Sequence, residues 1–143
     1  MSVPSRPQRP KTVTFLIVGV FLLGTWNAGR TLAIAQESRL LLALTVTPDP
    51  RIRIGMAVVW TGIFWGLAAA MWWRRPFSRK GTPILLTIYA IVDLLLPVFF
   101  TQGLFNRQAW LVTAVTYVLA ITFAYWILNR PATKSYFGAM KNA

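Results

Sequence analysis

The chain has 143 residues, 56% hydrophobic and only 13% charged, with mean hydropathy +0.55, which excludes an ordinary soluble domain (about 25% charged) and points to a single membrane-embedded one. Its 15 Lys and Arg against 3 acids give a net charge of +12, but the basic residues lie at the ends of apolar runs, the pattern of membrane flanks and not of a nucleic-acid face. The absence of Cys and His removes disulfides, thiolate catalysis, Fe–S clusters and the usual ligands of haem, zinc and copper, so no cofactor and no metal site are expected.

Residues 1–11, MSVPSRPQRPK, carry three prolines and three basic residues and read as a disordered cytoplasmic tail. The first span is expected at about 12–35. Its uncharged part, Thr12 to Gly29, has 18 residues, and about 20 cross the hydrocarbon core as a helix. The basic front end and Ala33-Ile34-Ala35 are signal-peptide features, but the stretch from Gly24 to Ala35 is long for a cleavage region and contains Arg30, so a retained span is expected. Residues 31–47 read either as an interfacial helix or as an extension of the first span ending near Thr47.

Pro48-Asp49-Pro50 marks a break and a helix restart, leading into a second span at about 52–73. Within it Gly62, Gly66 and Ala70 recur every four residues, a spacing that lets helix backbones approach closely, and Gly24 and Ala28 offer a matching small face on the first span. Trp60 and Trp65 lie inside this span, away from the interface where Trp is usually enriched. Trp72 and Trp73 followed by Arg74 and Arg75 form an aromatic anchor and a basic turn. With Arg79 and Lys80 they make a headgroup-binding membrane anchor. Thr82 is expected to cap the third span, about 83–105, with Pro83 in its first turn. The fourth span, about 108–128, offers Thr113, Thr116, Ala120 and Ala124 as an inward face. Residues 131–143 read as a short basic cytoplasmic tail whose Tyr136 and Phe137 rest in the interface.

Asp93 is the only acid inside an apolar run. A carboxylate at that depth costs several kcal/mol unless paired, protonated or wetted, so it is expected to face the bundle interior. Tyr89 and Pro97 share its helix face, and Pro97 removes the N–H that would bond the Asp93 carbonyl. Helical rise measured from Pro83 places Asn27, Tyr89, Thr116 and Tyr117 as its polar partners and sets Arg30 some 10 Å too far along the first span. Asp93 is then either a structural acid or a proton or cation site.

Four spans put both termini on one side. That side holds ten Lys and Arg against five on the other, so the termini are expected in the cytoplasm, in a prokaryotic plasma membrane. The expected architecture is an all-α, four-helix membrane bundle. With no paired carboxylates and no nucleophile pair, the expected function is a non-catalytic accessory or scaffolding subunit of a larger integral membrane complex. It would contact membrane lipids with anionic headgroups, other integral subunits and, peripherally, a lipid-soluble quinone or pigment, and no nucleic acid. The alternative is a small oligomeric transporter or channel using Asp93 as its coupling site.

Overall fold

The computed structural model describes residues 9–43, 50–100 and 107–138. They form five helices: α1 (Lys11–Ala43), α2 (Pro50–Trp72), α3 (Pro76–Phe100), α4 (Arg107–Asn129) and α5 (Pro131–Gly138), with no strand among the described residues. Four are long and apolar enough to cross a membrane, over Lys11–Gln36, Arg51–Trp72, Pro76–Val98 and Gln108–Asn129. The chain is an all-α, multi-pass integral membrane protein. Helix is the form these sequences take in lipid because it satisfies every backbone N–H and C=O within its own segment.

The 33 residues of α1 span about 50 Å, more than the ~40–45 Å of a whole bilayer. Of the two readings of the segment after the first span, the structure has the continuous extension, which runs to Ala43. The parts of the expected tails at 1–8 and 139–143, the expected restart at Pro48-Asp49 and the connection at 101–106 lie outside the described residues.

The third helix differs from expectation. It begins at Pro76, so the basic segment Arg79-Lys80 is helical and Thr82 is not a cap. Pro76 suits a first helical position, since its fixed φ matches the helix and its missing N–H would have no partner there. The Ser78 hydroxyl donates to the Arg75 carbonyl at 2.6 Å. Thr82 is fully buried, donating to the Ser78 carbonyl at 2.6 Å with the Met71 sulfur 3.2 Å away. Pro83 therefore sits in the body of the helix.

The turn that makes this early start possible is a Schellman motif ending α2. The Arg75 N–H bonds the Ala70 carbonyl at 2.9 Å and the Arg74 N–H bonds Met71 at 3.2 Å. Arg74 occupies the left-handed position with φ 58°, a place usually given to Gly. Its guanidinium lies over the Tyr136 ring, 4.6 Å from the centroid, an attraction that offsets part of the backbone strain.

Backbone contacts are most extensive between α1 and α2 and between α3 and α4, and α2–α3 and α1–α4 contacts close the ring. Helices α1 and α3 therefore lie on a diagonal. The dry core fills the half of the bundle nearest the chain termini, where Val13, Ile17, Phe64, Met71 and Ile127 are buried. Helix α5 folds under this end. Tyr136 and Phe137 do not rest in an interface but are buried, at 0% and 2% exposure. Arg9 locks the arrangement: its Nε donates to the Tyr136 hydroxyl at 3.0 Å, its Nη2 to the Trp72 carbonyl at 3.3 Å, and its guanidinium stacks 4.1 Å from the Trp72 ring. Among the expected membrane anchors, Arg79 donates to the Leu128 carbonyl at 3.2 Å, closing a helix C-terminus. Trp73, Arg75 and Lys80 remain exposed.

Candidate intramembrane charge site

Asp93 is held by two donors, one on each oxygen. Arg30 Nη1 from α1 donates to Oδ1 at 2.8 Å, and the Tyr117 hydroxyl from α4 donates to Oδ2 at 2.6 Å. The acid side chain is 19% exposed and that of Arg30 38%. Short distances of this kind mark charge-assisted hydrogen bonds, which are roughly twice as strong as neutral ones. In lipid the pairing removes most of the cost of carrying either charge alone.

Arg30 as the partner corrects the expectation that helical rise keeps it away. The cause is the early start of α3. Counted from Pro76 and from Lys11, Asp93 and Arg30 lie about 26 and 28 Å along their helices, so they share a level. The signal in the sequence was Arg30 itself, six residues inside the end of the Lys11–Gln36 span and not at its boundary. Two opposite charges within one bilayer core are expected to pair.

The other expected partners divide. Tyr117 bonds Asp93. Asn27 and Tyr89, both buried, bond each other instead: Asn27 Nδ2 donates to the Tyr89 hydroxyl at 3.2 Å and to its own helix at the Leu23 carbonyl, 2.9 Å away. This pair also crosses the α1–α3 diagonal. Thr116 does not join. It is exposed, and its hydroxyl returns to the Val112 carbonyl at 2.8 Å.

The rotation of α4 explains why. Trp110, Tyr117 and Ala124 are seven residues apart and share a face, and each is fixed from inside. Trp110 Nε1 donates to the Leu94 carbonyl at 3.1 Å, Tyr117 meets Asp93, and Ala124 is fully buried. Thr116 and Ala120 are thereby turned outward and Thr113 is only half-buried. The Trp110 bond lands next to the carbonyl that Pro97 deprives of its helical partner, so a neighbouring helix supports the backbone there.

Beneath the charge pair lies an aromatic cluster. Tyr89 makes edge contacts with Trp60, Phe64 and Tyr117 at 5.1, 5.0 and 5.8 Å between centroids. Trp60 is thus an intrabundle residue. Trp65 covers Gly24 from the outer side and stacks on Phe21 at 6.2 Å.

The small-residue faces do not mate as expected. Gly24 is buried against Phe64 and Trp65, Ala70 is buried and Ala28 is half-buried. Gly62 and Gly66 point away from α1, exposed, with open space where a side chain would be.

Chemically, one carboxylate with a guanidinium and a phenol can hold an ion pair and specify helix register. No group of three His, Cys, Asp or Glu residues able to bind a metal occurs among the described residues. Fold and site together define a polytopic helical membrane protein in which Asp93 and Arg30 form an internally compensated ion pair among the described residues. The chain matches no protein-family model, no curated protein sequence and no solved structure.

Proposed function

We propose that the chain is a non-catalytic accessory or scaffolding subunit of a larger integral membrane complex, with both termini in the cytoplasm of a prokaryotic plasma membrane. The observation that carries this reading is the outward direction of Gly62 and Gly66. They leave α2 with a small-residue face that none of the described residues covers, where a helix of another subunit can approach closely. The internal pairing of Asp93 supports it as well, because the acid is already engaged by Arg30 and Tyr117. The ten-to-five distribution of Lys and Arg supports the orientation. The exposed Trp73, Arg75 and Lys80 suit contact with anionic headgroups on the same side.

A photo-crosslinking residue at position 62, activated in native membranes, tests the reading. Adducts with a different integral membrane polypeptide are expected. Adducts formed only between copies of this chain would favour a small oligomeric transporter built around Asp93, and no protein adduct at all would contradict a docking role for this face.

A further inference from the structure

We infer that Arg9 and Arg74 form a discrete site for the phosphate of an anionic phospholipid, at the end of the bundle nearest the chain termini. Three separate elements build it. Arg9 precedes α1, Arg74 lies in the turn between α2 and α3, and both converge on Tyr136 of α5. The Arg9 Nε donates to the Tyr136 hydroxyl at 3.0 Å, and the Arg74 guanidinium lies 4.6 Å from the ring centroid. The shared ring is fully buried, so it fixes both cations from within the fold. Arg74 also keeps a left-handed backbone, φ 58°, where Gly would be unstrained, and so presents a guanidinium there at a cost.

Neither charge is neutralised. Arg9 bonds a phenol and the Trp72 carbonyl, and Arg9 and Arg74 lie over the Trp72 and Tyr136 rings, all uncharged partners. The acids are elsewhere: Asp93 pairs with Arg30, Glu37 lies toward the far end of α1, and Asp49 adjoins Pro50 at the far end of α2. Among the described residues, Arg9 Nη1 and the whole Arg74 guanidinium have no hydrogen-bond acceptor, and both residues are only half-buried. Two like charges held on one ring repel each other. An anion between them removes that repulsion and accepts the free donors, as the guanidinium fork does well with phosphate. Depth selects the anion. Trp72 closes the second span, and Trp72, Trp73 and Phe77, flanking the Arg74 turn, are 57, 66 and 64% exposed. Exposed aromatic rings at a span end belong at the headgroup level, so the phosphate within reach is that of a lipid, and one whose headgroup carries no positive charge of its own. The site is distinct from the looser headgroup contact of Trp73, Arg75 and Lys80, and it does not rest on the accessory-subunit reading.

The test titrates the purified full chain, in a neutral detergent, with phosphatidylglycerol or phosphatidylcholine and counts retained lipids by native mass spectrometry. The first phosphatidylglycerol is expected to bind roughly thirtyfold more tightly than phosphatidylcholine, the preference two Arg side chains confer at a membrane surface. Arg74→Gly removes one cation and relieves the backbone strain, so the turn persists, and the preference is expected to fall to roughly fivefold. Arg9→Gln, which leaves the turn untouched, is expected to do the same. Lys134→Gln removes an equal charge from an exposed position on α5 and is expected to leave the preference intact. Equal affinity for the two lipids, or an equal loss in Lys134→Gln, overturns the proposal. Displacement of the lipid by soluble glycerol phosphate or polyglutamate would assign the site to a dissolved anion and overturn it as well.

Discussion

Asp93→Asn is expected to destabilise the bundle by about 3 kcal/mol, Arg30→Met by a similar amount, and the double variant by much less than their sum. The reason is the asymmetry of buried ion pairs: removing one member strands the other in a medium that cannot solvate it, whereas removing both removes the problem. The 2.8 Å Arg30–Asp93 contact joins diagonal helices, so the loss falls on the global unfolding of the bundle and not on one hairpin. Tyr117 remains to hydrogen-bond either Asp or Asn at position 93, which keeps the single-variant cost at the low end of the usual range of about 3–5 kcal/mol. Reversible unfolding in mixed micelles, run as a double-mutant cycle, reads the coupling directly. Strictly additive single effects would mean that the pair does not exist in the folded protein.

Gly24 is the position where one added methyl has the next largest consequence. A Cβ there would lie 2.5 Å from Trp65 Cδ1, 2.9 Å from its Nε1 and 3.3 Å from Phe64 Cβ. The indole is itself stacked on Phe21, so it yields only by breaking that contact or by parting α1 from α2. Gly24→Ala is expected to cost about 1–3 kcal/mol, the usual range for overpacking, despite the better helix propensity of Ala. In a Trp65→Ala background the same change should be close to neutral, since the obstructing ring is gone. Thermal midpoints of the four proteins in detergent provide the check. By contrast Gly62→Ala, with open space around it, should leave the isolated chain unaffected.

These two sites show what was legible beforehand. Length and hydropathy were enough for four spans, because a bilayer fixes both the length of a segment and its backbone form. Asp93 announced itself as the lone acid, and Tyr117 as a phenol at its level. Arg30, inside the expected first span, was set about 10 Å too far along by the extra turns of α3 before Pro83, which shift every depth estimate along that helix. Thr82 followed the pattern of a cap, but Pro76 and the Schellman turn at Arg74 start the helix sooner. Small-residue spacing identified Gly24, Gly62 and Gly66 without direction. Only packing shows that Gly24 faces in and the other two face out. Tyr136 and Phe137 were misplaced because a short basic segment gives no periodic signal, and they are buried in a core built from residues distant in sequence, with Arg9 bonding the Tyr136 hydroxyl.

The central claim is that this chain serves as a passive partner within a larger membrane assembly. The native mass and composition of the tagged protein, extracted from its own membranes in mild detergent, tests it most directly. The account predicts stoichiometric co-purification with larger integral subunits. A lone monomer or a small homo-oligomer would contradict it.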